Sequence, residues 1–155
     1  MKKLIIPLFL CVLLCSCSVS TKTPVINNSF SKQAVIKAGE FSYDARISCE
    51  NNTVYINVCS SNAAGMTMSC SSNELVYSYK DMTKSIMKSD AGYYNPSVVI
   101  YDTLNSLSSS RIEKNENNYL YFGKIQAGDY TLKTDKDGNI VSLVVKNAQI
   151  SFEFE

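Results

Sequence analysis

The sequence predicts an α+β domain: an antiparallel sheet of about eight to ten strands with one or two helices packed on it. Three observations carry this. Apolar and polar residues alternate with period two along much of the chain, most clearly from Phe41 to Cys49. Ten tyrosines and six phenylalanines, among many Ser, Thr and Asn, suit a pleated, half-buried surface. A strong helical period behind a cap occurs only from Asn95 to Ser108.

The chain opens with Lys2-Lys3 and an apolar run, Leu4 to Leu14, of signal-peptide length. A membrane-spanning helix needs about 20 apolar residues, and this run stops short. Leu14-Cys15-Ser16-Cys17 places a small serine directly before a cysteine and a leucine three residues before it. The pattern resembles the lipobox of bacterial lipoproteins, which implies cleavage before Cys17 and a diacylglyceryl thioether on that residue. Cleavage before Cys15 is the rival, but it would put bulky Leu14 where a small residue is wanted. An ordinary secreted signal peptide is the other alternative. The expected organisation is a lipoprotein signal peptide at 1–16, a lipid-anchored flexible tether at 17–29 and a folded domain at 30–155. The expected location is the extracytoplasmic face of the cell membrane, held there by acylated Cys17, because several buried acyl chains anchor firmly where one does not.

The 155 residues carry 15 Lys and Arg against 14 Asp and Glu, with no histidine. Loss of Lys2 and Lys3 with the leader would leave 13 against 14, a formal charge of −1. That balance argues against a nucleic-acid partner, since no basic stripe is present to neutralise phosphates. Without histidine the chain lacks the commonest general base near neutral pH and the commonest transition-metal ligand. No enzyme activity, no metal site and no cofactor are therefore expected.

Phe30 to Ala38 reads as a short helix capped by Ser31, with Val35 and Ile36 facing inward and Gly39 ending it. A strand follows, with Phe41, Tyr43, Ala45, Ile47 and Cys49 on one face. Asn51-Asn52 tolerates positive φ and suits a two-residue hairpin, which would set Cys49 opposite Val54 and Ile47 opposite Ile56. Met66, Met68 and Cys70 give a third strand and Leu75, Tyr77 and Tyr79 a fourth, with a further short strand between Asp81 and Met87. Asn95 then caps a helix opened by Pro96, and Ile100, Leu104 and Leu107 lie on its apolar stripe until the serines 108–110. Strands return at 111–114, 119–125, 129–134, 140–146 and 149–154, parted by turns at Asn117-Asn118, Ala127-Gly128 and Asp137-Gly138.

This order resembles the small lipoproteins of Gram-positive gut bacteria that share the fold of the LolA/LolB-like lipoprotein carriers. The residues that carry the likeness are Phe41-Ser42-Tyr43-Asp44-Ala45, Asn95-Pro96-Ser97 through Leu104-Asn105-Ser106-Leu107, Gly128-Asp129-Tyr130-Thr131-Leu132, Asp137-Gly138-Asn139-Ile140 and Leu143 to Phe152. It spans roughly residues 30–155 and lies in element order and patterning. The resemblance implies a strongly curved sheet, an incomplete barrel, with helices across its concave side and an apolar cavity between them that holds acyl chains. No residue of the carriers is matched securely enough to transfer a role, and their lipoprotein-sorting activity does not travel with the fold.

The candidate ligand cavity is lined by Tyr43, Ile47, Met66, Met68, Tyr77, Ile100 and Leu104, with methionine as an adaptable lining. Ordinary core filling explains the same residues. Asp135-Lys136-Asp137-Gly138-Asn139 has a calcium-loop flavour, but its glycine falls early and Lys146 stands where a bidentate Glu belongs, so a hairpin turn is expected. Cys49 and Cys70, both inward-facing, would lie two strand spacings apart, about 9.6 Å, too far for a disulfide. The leading expectation is a lipoprotein domain that binds a lipid or other apolar ligand without catalysis. The alternative is an envelope module that docks a protein partner of unknown identity on a filled core.

Overall fold

A computed structural model describes residues 24–155, so Cys17, the leader and most of the tether lie outside the described residues. Eleven strands form one antiparallel sheet, β1 (Phe30–Ala38), β2 (Phe41–Glu50), β3 (Thr53–Val58), β4 (Thr67–Cys70), β5 (Glu74–Tyr79), β6 (Met82–Met87), β7 (Arg111–Lys114), β8 (Asn118–Ile125), β9 (Gly128–Asp135), β10 (Ile140–Val145) and β11 (Ile150–Phe154). One α-helix, α1 (Pro96–Ser106), runs on into a 3₁₀ turn at Leu107–Ser109. The spatial order is β6-β5-β4-β3-β2-β1-β11-β10-β9-β8-β7, so two meanders join through the pairing of β1 with β11.

The expected helix at Phe30–Ala38 is instead the central strand β1. Its period is two: Ala34 and Ile36 are buried on the inner face while Ser31, Gln33 and Lys37 are exposed. A nine-residue helix is marginal alone, whereas this segment pairs with β2 on one side and β11 on the other, which satisfies its backbone on both edges. Gly39, at φ +58°, turns the chain back so that Ala38 lies opposite Phe41.

The second hairpin forms as expected, with Asn51 and Asn52 at φ +49° and +57°, Cys49 opposite Val54 and Ile47 opposite Ile56. Asn95 caps α1, its Oδ1 accepting from the Ser97 and Val98 amides, and Pro96 occupies the first turn.

The sheet is strongly curved. An eleven-residue helix is about 16 Å long, yet α1 packs on β3 and β4 and also on β8. In a flat sheet of this order β3 and β8 would stand about 29 Å apart. The strands therefore wrap around the helix, and because β6 and β7 never pair the barrel stays open.

Candidate functional site: the concave face and its two grooves

The inner face is an apolar surface laid out by strand alternation. One row across the first meander runs Lys84, Tyr77, Met68, Ile56, Ile47, and the next runs Met82, Tyr79, then Val58 and Ala45. Toward the other edge, Tyr43, Ile36, Phe152, Leu143, Leu132, Tyr121 and Ile112 follow one another across seven strands. The helix covers the centre with Val98, Val99, Ile100, Tyr101 and Leu104, all buried.

Polar side chains clamp the helix at both ends. At its start the Asn95 Nδ2 donates to the Tyr77 hydroxyl at 2.9 Å and also approaches the Met68 sulfur at 3.7 Å. At its end the Ser106 hydroxyl donates to Tyr130 Oη at 2.9 Å, and Ser110 Oγ lies 2.6 Å from the same oxygen. Midway, Lys88 Nζ pairs with Asp102 at 2.5 Å and lies over the Tyr101 ring. This fixes how deep the helix sits and which parts of the concave face it leaves bare.

The seven predicted cavity residues fall into four environments. Ile47, Met68 and Ile100 belong to the buried core at the centre, where helix side chains meet the sheet. Leu104 is buried too, and it also forms the wall of a groove of about 430 Å³ at the C-terminal end of α1. Met66 and Tyr77 are half-buried and line a second concavity, of about 570 Å³, to which no residue of α1 contributes. Tyr43 packs half-buried against the core, and burial raises its pKa.

The first groove is bounded by Leu104, Leu107, Ile112 and Tyr121, and the segment Pro24–Asn28 lies along it. The Tyr121 hydroxyl donates to the Pro24 carbonyl at 3.4 Å, and Ile26 packs against the core. Burial raises the pKa of Tyr121, so it stays a neutral hydrogen-bonding group near pH 7. This segment is the feature missed in the sequence, where its polar neighbours disguised Pro24 and Ile26 as tether. The second concavity is a shelf of Met66, Tyr77, Tyr79 and Met82 flanked by Asp81 and Lys84.

Among the described residues no group of three or more His, Cys, Asp or Glu side chains is placed to hold a metal ion. The turn with the calcium-loop flavour is closed on itself: Asp135 accepts from the Asp137 and Asn139 amides and from the Asn139 side chain, which holds its carboxyl below the usual range. Cys49, Cys59 and Cys70 are free thiols; Cys49 and Cys70 are both buried opposite Val54, on either side of it. No helix of the described residues is long and apolar enough to cross a membrane.

No protein-family model matches the chain, and no curated protein does. Among solved structures it is similar to one chain in the structure of the CwlD amidase from Clostridioides difficile in complex with the GerS lipoprotein, with 10% identity, a TM-score of 0.45, and 96% of this chain and 88% of that one covered. It is also similar to the LolA superfamily protein NE2245 from Nitrosomonas europaea, with 10% identity, a TM-score of 0.41, and 83% and 69% of the two chains covered. Likenesses of this strength assign no ligand and no partner.

Proposed function

We propose that this chain is a membrane-anchored extracytoplasmic lipoprotein whose half-barrel binds an apolar chain without catalysis. The observation that carries the reading is the groove beside Leu104. It is open and about 430 Å³, within the ~300–1,000 Å³ usual for small-molecule sites. Leucine, isoleucine and tyrosine dominate its walls, and Asn28, Asn105 and Ser108 offer a few polar groups at its rim. Its position supports a lipid as the ligand. Seven peptide units link Cys17 to Pro24, a reach of at most about 25 Å, so an acylated Cys17 would keep the groove close to the bilayer surface.

The test is binding of a dansyl-labelled C16 fatty acid to the purified full chain. Leu104→Glu and Ile112→Glu are expected to weaken binding at least tenfold. Ile112 is partly exposed, so its variant should keep the far-UV spectrum and thermal midpoint of the parent. No binding by the parent, or equal binding by the Ile112 variant, would overturn the reading.

A second reading draws on the filled centre of the concave face. Ile47, Ile56, Val99 and Ile100, between 0% and 2% exposed, leave no room for a ligand where the helix sits. A module that docks a protein and holds no ligand would be packed in this way.

A further inference from the structure

An open sheet has two edges, and this one treats them differently. The β7 edge is four residues long and alternates charge: Arg111 pairs with Glu113 at 3.0 Å and lies over the Phe122 ring, while Lys114 lies over Tyr119. Short length and charge of this kind blunt an edge against pairing. The β6 edge is six residues, Met82-Thr83-Lys84-Ser85-Ile86-Met87, with one charge and no proline, and all but Ile86 are exposed.

The inner face of β6 is set by its register with β5. Leu75, which is fully buried, lies opposite Ile86, so Tyr77 opposite Lys84 and Tyr79 opposite Met82 share that face. Beneath the edge lies the open shelf of Met66, Tyr77, Tyr79 and Met82, with Met82 67% exposed. An unpaired backbone edge beside an apolar shelf is the combination that strand addition uses. Main-chain hydrogen bonds then supply affinity, and alternate side chains supply specificity.

The charge on this face decides the partner. Lys84 makes no ion pair among the described residues; in the adjoining turn Asp81 flanks the shelf and Lys80 lies over the Tyr79 ring, so their formal charges cancel and Lys84 is left as the net charge. A second copy joined by antiparallel pairing centred on β6 would set Lys84 against Lys84 or diagonal to it, and like charges across strands are destabilising. An acidic residue at that point would be favourable instead.

We propose that the β6 edge, with the Met66–Tyr77–Tyr79–Met82 shelf, docks an extended strand of a partner protein that alternates apolar residues with one acidic residue facing Lys84. This gives the second reading above a location. It is independent of the Leu104 groove, which lies toward the opposite edge of the sheet.

The probe is a synthetic ten-residue peptide alternating threonine with valine or isoleucine, with one glutamate midway along the apolar face. A twin peptide carries lysine there. Anisotropy with the full chain in detergent should show the glutamate peptide binding at least tenfold more tightly. Lys84→Glu should reverse the preference, and bound peptide should slow hydrogen exchange at β6 amides. Equal affinity for the two peptides, or a preference unchanged by Lys84→Glu, would overturn the proposal. So would a dimer of the chain joined through β6. Slowed exchange confined to other strands would overturn this edge while leaving a docking module elsewhere intact.

Discussion

The three thiols of the domain sit in different electrostatic settings, and their chemistry should follow. Burial pushes the Cys70 thiol up to about 11, with Lys88 opposing and Asp102 adding to the shift. Cys49 is raised as well, first by burial and then by the charge of Glu50. The thiolate is the reactive form, so in the folded protein iodoacetamide at pH 8 should label exposed Cys59 and spare the other two. Unfolding in urea should expose all three. The raised folded-state value also sets a sign. The native state holds the Cys70 proton where the unfolded chain, near pH 9, has released it. Its stabilising contribution is therefore complete below about pH 9 and declines as pH rises through about 11. Cys70→Ala should flatten the fall of the urea midpoint across that interval relative to the parent.

Gly123 shows a different kind of constraint. Tyr130 lies against it, so a Cβ at position 123 would fall 2.5 Å from the Tyr130 hydroxyl oxygen and 2.6 Å from Cζ. That ring cannot yield freely, since it is 2% exposed and its hydroxyl holds the end of α1 through Ser106 and Ser110. Gly123→Ala should cost about 1–3 kcal/mol in urea unfolding, the range for overpacking. A glycine inside a strand pattern gives warning of close approach, but only the cross-strand pairing of Gly123 with Tyr130 identifies what approaches.

At the scale of elements, Asn95 links the helix to the sheet. Its Oδ1 serves the Ser97 amide at 2.9 Å and the Ser97 hydroxyl at 2.6 Å, while its Nδ2 reaches Tyr77. Asn95→Ala should lower stability by about 1–2 kcal/mol, a capping loss with a side-chain hydrogen bond added. Asn95→Asp keeps the cap acceptor and puts a carboxylate oxygen in place of the donor to Tyr77, which can accept the Tyr77 proton, so it should recover most of the helix stability while reversing the hydrogen bond at Tyr77. Chemical denaturation would give the first effect and tyrosine fluorescence the second. The helix itself was fully legible, because a cap, a proline and an apolar stripe lie within one short stretch. The segment Phe30–Ala38 was not. Val35 and Ile36 are adjacent apolar residues, and adjacent positions fit the core side of a helix as easily as two faces of a strand. Its pairing with β11 spans most of the chain, and no local pattern carries that information.

For the whole molecule, the anchor remains the proposal with the widest consequence. Cys17→Ala should abolish palmitate labelling and shift the protein from membrane to soluble fractions, with an unchanged circular dichroism spectrum. Palmitate incorporation by that variant would rule out Cys17 as the acylated residue. The domain it would tether divides by reach: one helix of eleven residues fills the middle of an eleven-stranded sheet and leaves grooves toward both edges.

The sequence by itself determined the local chemistry: antiparallel strands of period two, the Asn51-Asn52 hairpin and its register, the capped helix, and an inner face rich in methionine and tyrosine. Each of these depends on residues only a few positions apart. Tertiary structure alone decided that β1 is the central strand, that the meanders join through β11, and that the sheet curls until one short helix touches both β4 and β8. The physical reason is that curvature arises from pairings between distant segments, and from the depth at which Asn95 and Tyr130 hold the helix. That depth also decided which predicted cavity residues became core, as Ile47, Met68 and Ile100 did, and which kept an open groove before them, as Leu104, Met66 and Tyr77 did.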